Sequence, residues 1–103
     1  MFSAIYTTIN DKEEARKIAY TLVHERICAC VNIFEGVESV YRWMDKMENA
    51  QEIVLLAKTS KQHVKKAISR IQELHSYEVP DIIVFPIVDG SKNYLDWISR
   101  ETI

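Results

Sequence analysis

The chain has 103 residues, a formal net charge of −2 at pH 7, 48% hydrophobic residues, and only two glycines and two prolines. That describes one globular domain over residues 1–103, large enough for a single hydrophobic core and too apolar for disorder. A pI near 5.9, with lysines dispersed among acids, excludes a nucleic-acid partner, and no apolar run approaches the ~20 residues of a membrane span.

Met1-Phe2-Ser3 opens directly on a strand pattern without a basic leader, so a cytoplasmic protein is expected. Phe2 to Thr8 is the first strand. Asn10-Asp11-Lys12-Glu13 has capping-box spacing, with Asn10 as the expected N-cap. The helix that follows carries Ala15, Ile18, Ala19, Leu22 and Val23 on one stripe.

Ile27 to Trp43 then reads as one very long strand, rich in β-branched and aromatic residues, with a bulge or bend at Gly36. Its extended length is roughly 55 Å at about 3.3 Å per residue. A domain of this size has a diameter of only ~26 Å. Part of the strand must therefore bend back or pair outside the domain.

The polar run Met44 to Gln51 separates this strand from the next, Glu52 to Thr59, and the two are expected to pair as an antiparallel hairpin. Thr59 or Ser60 can cap a second helix with the stripe Val64, Ala67, Ile68, Ile71 and Leu74, which ends at His75 before Pro80. Asp81 to Val88 is a fourth strand, which Pro86 confines to an edge or ends early, and Ser91 can cap a short last helix. The order β-α-β-β-α-β plus a C-terminal helix predicts an α+β, ferredoxin-like fold: an antiparallel sheet with two helices on one face.

Cys28 and Cys30 are expected on one strand face, with Cα atoms ~6.5–7 Å apart and hence reduced. They suit buried positions or soft-metal thiolates. His24 and His63 read as solvated or half-buried. His75, at a helix end beside Tyr77 and Glu78, is the better candidate for function. Tyr41 and Trp43 share a strand face that suits an interface. Lys58 closes an apolar strand and needs solvent, a bound anion, or a carboxylate such as Glu52 or Glu48.

No nucleophile elbow, triad order or glycine-rich phosphate loop is present, so no enzyme is expected. The aromatic signature of RNA-recognition domains is absent from Glu52–Thr59. Thr8-Ile9-Asn10 lacks the arginine that acyl-phosphate hydrolysis would want in an anion loop.

Five motifs in register carry a family resemblance. They are Arg26-x-x-Ala29-Cys30-Val31-Asn32-Ile33; Ser39-Val40-Tyr41-x-Trp43; Glu52 with Lys58-Thr59; Leu74-His75-x-Tyr77-Glu78-Val79-Pro80; and Tyr94-Leu95-x-Trp97-Ile98. Together they resemble the CutA divalent-cation tolerance family. The resemblance implies a PII-like homotrimer built by long-strand pairing across subunits, with a role in tolerance to copper and other divalent ions.

It also implies His75 as a metal ligand, beside which Cys30 is a candidate soft-metal thiolate, copper or another divalent cation as the bound ion, and an intersubunit cleft of Tyr41, Trp43, Glu52, Lys58, Tyr77 and Glu78. A PII-like sensor of small anions using Lys58, or a structural assembly module, is the alternative. The chain departs from the family at turn positions Asn10, Glu35, Asp45 and Ser76. It also departs at Thr7 and Leu74, where copper-binding members can carry Cys and a second His.

Overall fold

In the computed structural model, which describes Met1–Ile103, four strands form one sheet in the order β2-β3-β1-β4, every neighbouring pair antiparallel. The elements run β1 (Phe2–Ile9), α1 (Lys12–His24), β2 (Cys30–Trp43), β3 (Lys46–Ser60), α2 (Val64–Leu74), β4 (Ile82–Ile87) and α3 (Lys92–Glu101), with one 3-10 turn at Lys61–His63 before α2. This is the ferredoxin-like arrangement. Pro86 sits on edge strand β4, where a missing N–H disrupts no second ladder.

The core lies between the helical layer and one sheet face. Ile5 and Ile9 of β1, Ile53, Leu55 and Ala57 of β3, Ala15, Ile18 and Leu22 of α1, and Ala67 and Ile71 of α2 form one buried cluster. The alternation on β1 and β3 thus delivers odd-numbered residues to the core and even-numbered ones to the opposite face. Val23, expected on the buried stripe of α1, is exposed at its end.

The N-cap of α1 is Asp11, one residue later than expected, because its carboxylate accepts from Glu14 N–H at 3.1 Å. The helix ends with Ile27 N–H on Leu22 C=O and Arg26 N–H on Val23 C=O, which places Arg26 at φ 60. The Arg26 guanidinium then reaches the last carbonyls of α3, Arg100 O at 2.8 Å and Glu101 O at 3.1 Å. Beyond α1, the Glu25 carboxylate takes two bonds from Arg70 of α2, at 2.9 and 2.8 Å, and these hold its pKa below the usual carboxylate value. Ser60 does not cap the second helix with its side chain. Its hydroxyl instead meets His63 Nδ1 at 2.6 Å and Thr102 Oγ1 at 3.2 Å, so His63 is buried rather than solvated.

The long strand begins at Cys30 rather than Ile27, and its partner begins at Lys46 rather than Glu52. Only Met44 and Asp45 join them, at φ 50 and 64, the doubly positive geometry of a tight hairpin turn. The polar run read as a connection is therefore strand: polar residues suit a ribbon whose two faces both meet solvent. The hairpin stretches the molecule to 45 × 25 × 23 Å.

Gly36, at φ 76, accommodates a bulge. Phe34 pairs with Val54 but Val37 pairs with Glu52, so β2 spends one extra residue. The extra residue reverses parity, and Val37, Ser39, Tyr41 and Trp43 join the sheet face of Glu52 and Ala50.

The cysteines also separate. Cys28 precedes β2 and enters the core, whereas Cys30 is half-buried in the register row of Lys58 and Ala4. Both are free thiols.

Candidate functional site

Where the hairpin leaves the sheet, the face opposite the core carries a cavity of about 480 Å³. Tyr41, Trp43, Glu52, Tyr77 and Glu78, five of the six cleft residues expected from the sequence, line it. The bulge at Gly36 supplies Tyr41 and Trp43, β3 supplies Glu52, and the loop between α2 and β4 supplies Tyr77 and Glu78.

Tyr77 locks that loop to the sheet. Its phenol donates to Glu52 Oε2 at 2.5 Å, and burial together with the Glu52 carboxylate raises its pKa above the ordinary tyrosine value. Glu52 is only 8% exposed. The neighbouring His75 has both ring nitrogens engaged: Nδ1 accepts from Tyr77 N–H at 3.2 Å, which leaves Nε2 to donate to the Thr8 carbonyl at 2.8 Å.

Other lining residues were not expected in the cleft from the sequence, Tyr6, Thr8 and Asp81 among them. Tyr6 and Thr8 lie on the even-numbered face of β1, and Asp81 stands just before β4. Asp81 accepts from Thr8 N–H at 3.2 Å and from Thr8 Oγ1 at 2.7 Å. Its carboxylate thereby stands in for strand backbone beyond the last β1–β4 pair, Thr7 with Ile82. The alternation of β1 was a usable signal for Tyr6 and Thr8. Nothing local marked Asp81.

Lys58 lies elsewhere. It shares the sheet face of Glu52 but stands six residues along β3, about 20 Å at strand rise. It pairs with no carboxylate. Its ammonium donates to Tyr94 Oη of α3 at 3.2 Å and sits 5.4 Å from that ring's centroid.

His75 and Cys30 are likewise apart. His75 is bonded to Thr8, and Cys30 falls in the row of Ala4, four residues along β1, about 13 Å away before the intervening strands are counted. The Cys30 thiol contacts Asn32 Oδ1 at 3.9 Å. No three His, Cys, Asp or Glu side chains of this chain converge to hold a metal ion. The cavity contains Glu52, Glu78 and Asp81 but no Lys, Arg or His, so its field favours cations. No helix is long and apolar enough to cross a membrane.

The model of the CutA1 divalent ion tolerance protein family matches residues 3–101. The divalent-cation tolerance protein CutA of Thermus thermophilus is 42% identical over 102 residues, with 99% of each chain covered. The solved structure of that organism's Cut A1 superposes with a TM-score of 0.96, again over 99% of each chain. The chain also resembles the chloroplastic CutA of Arabidopsis thaliana, 37% identical over 95% of this chain, and spans about half of that longer protein, 54%. A structure described as the periplasmic divalent cation tolerance protein CutA from Archaeoglobus fulgidus is 37% identical, with a TM-score of 0.95 over 98% of each chain. Relatives named chloroplastic and periplasmic do not carry the expectation of a cytoplasmic location. A family match along nearly the whole chain, with a near-complete superposition at this identity, establishes that the chain belongs to the CutA1 divalent ion tolerance proteins.

Proposed function

We propose that the chain serves divalent-cation tolerance as a non-enzymatic homotrimer, and that the cavity at the base of the hairpin is its cation site. The observation that carries the cation reading is the composition of the cavity: three carboxylates and no basic side chain. With Lys58 held by Tyr94, an anion would meet no positive charge there.

Oxygen ligands suit hard divalent ions better than the thiolate and imidazole expected for copper. Because one chain brings no three ligating groups together, an ion in the cavity keeps water or takes a group from a neighbouring subunit.

The hairpin supports assembly. A two-stranded ribbon is marginal in water, yet this one exposes Val40, Tyr41, Trp43 and Met47, and the open sheet face beside it exposes Phe34, Ile83 and Phe85. Pairing of such ribbons between copies would cover apolar groups of this kind, among them Val40 and Met47 on the ribbon face away from the cavity.

Native mass spectrometry and calorimetric titration of Cu²⁺ and Zn²⁺ test the proposal on wild type and on Glu78→Gln. A mass three times the 12.0 kDa chain, and metal affinity weakened by Glu78→Gln, are expected. A monomer overturns the assembly. Absence of binding tighter than ~10 μM, or indifference to Glu78→Gln, overturns the divalent-ion site.

A further inference from the structure

Glu52 is a buried carboxylate with an unfilled half. One oxygen takes the Tyr77 phenol, and the other, with no hydrogen-bond partner within the protein, opens onto the cavity that this 8% exposed residue lines. Neither Glu52 nor the other cavity acids, Glu78 and Asp81, belongs to any of the ion pairs of the chain. A buried carboxylate without a counter-cation is unfavourable, so the cavity gains most from a positively charged occupant.

Its walls say which kind. Tyr6, Tyr41 and Trp43 present aromatic surface beside the acids, and aromatic faces attract ammonium groups while covering a hydrocarbon body. Both Asp81 oxygens are taken by Thr8 and one Glu52 oxygen by Tyr77, which leaves the other Glu52 oxygen and both of Glu78 without a partner in the chain. The free oxygens of Glu52 and Glu78, in a cavity that Ser39 and Tyr41 also line, suit a head group that carries N–H donors, which a quaternary ammonium lacks. The volume of about 480 Å³ lies within the usual range for a small organic ligand.

The geometry points to a primary organic ammonium as a ligand of this cavity, its nitrogen on Glu52 and its hydrocarbon body on Tyr6, Tyr41 and Trp43. The inference rests on the reading of the cavity as a cation site and names an organic class of cation for it.

The test is calorimetric titration of the full chain with 2-phenylethylammonium chloride, with 2-phenylethanol as neutral isostere and 3-phenylpropionate as anion. The ammonium is expected to bind at least about tenfold tighter than the alcohol, and the propionate not to bind. Glu52→Gln should abolish the preference for charge. Trp43→Ala, on the exposed ribbon, should weaken the ammonium while preserving its preference over the alcohol.

Equal binding of ammonium and alcohol overturns the inference, and so does no binding of the ammonium, including a trimer whose neighbouring chain fills the cavity with its own lysine. If Glu52→Gln does not fold, the isostere comparison on wild type and the Trp43→Ala titration decide. Zinc chloride titrated in parallel separates the two readings. Zinc binding without ammonium binding overturns the organic class alone, ammonium without zinc overturns the divalent-ion reading alone, and binding of neither overturns both.

Discussion

His75 Nε2 donates to the backbone carbonyl of Thr8 at 2.8 Å across 67 residues of sequence, tying the end of α2 to the end of β1. With Nδ1 accepting from Tyr77 N–H, the imidazole serves as a buried brace. Replacing His75 with Ala is therefore expected to destabilise the protein by about 2 kcal/mol, through lost bonds and an unsatisfied carbonyl. His75→Gln should recover part of this, because its amide can donate to Thr8. Urea unfolding measures both, and an unchanged midpoint for His75→Ala would remove the brace.

Tyr77→Phe keeps the ring and deletes the donor to Glu52. A buried carboxylate that loses its hydrogen bond costs about 1.5–3 kcal/mol. The expected result is a lower urea midpoint in Tyr77→Phe, with the double variant Tyr77→Phe/Glu52→Gln less destabilised than the sum of the two singles. Strict additivity would show that the pair is not coupled.

The two thiols should behave differently. Cys30 is half-buried and Cys28 lies in the core, where burial, followed by the influence of Cys30, pushes its pKa up to about 12. A thiol reagent at neutral pH should modify one cysteine in the native protein and two in denaturant. Because the native Cys28 keeps its proton where the unfolded chain, near the ordinary thiol value of 9.0, has lost it, its contribution to stability is full below pH 9.0. That contribution declines as pH rises toward about 12. A Cys28→Ala variant whose stability falls as steeply over that window as wild type would assign the alkaline loss to other groups.

Thr7 is 1% exposed, and its hydroxyl has no hydrogen-bond partner. Valine has nearly the same shape without the polar atom, so Thr7→Val should raise stability by about 1 kcal/mol. A decrease in the denaturation midpoint would show that the hydroxyl is satisfied in solution.

Gly36→Ala tests the bulge. A Cβ at this position meets nothing within 4 Å, so any cost comes from the backbone at φ 76. That cost is about 1–2 kcal/mol. The variant should unfold at lower urea concentration while retaining the far-UV spectrum of the sheet. No loss would indicate that the ribbon rearranges to a bulge that alanine tolerates.

Local patterning was enough for the ferredoxin-like order of strands and helices. The 3.6-residue stripes of α1 and α2, the two-residue alternation of β1 and the edge-seeking Pro86 all act through near neighbours in the chain. Five residues of the cavity were likewise nameable from the motifs that hold them. Hairpin length was not legible, because Lys46 to Gln51 is too polar to resemble a strand until its partner strand is in place. The N-cap was expected one residue early, at Asn10, because Asn10 and Asp11 both fit the spacing and only the bond to Glu14 separates them.

Only the tertiary structure decided which groups share the site. One extra residue at Gly36 turns Tyr41 and Trp43 toward Glu52, six steps of β3 carry Lys58 away, and the bond to Thr8 commits His75 to the scaffold. These are questions of parity, register and long-range hydrogen bonding. The sequence determined which residues have the chemistry, but which of them meet is set by strand pairing between segments far apart in the chain, and that cannot be read from any one segment.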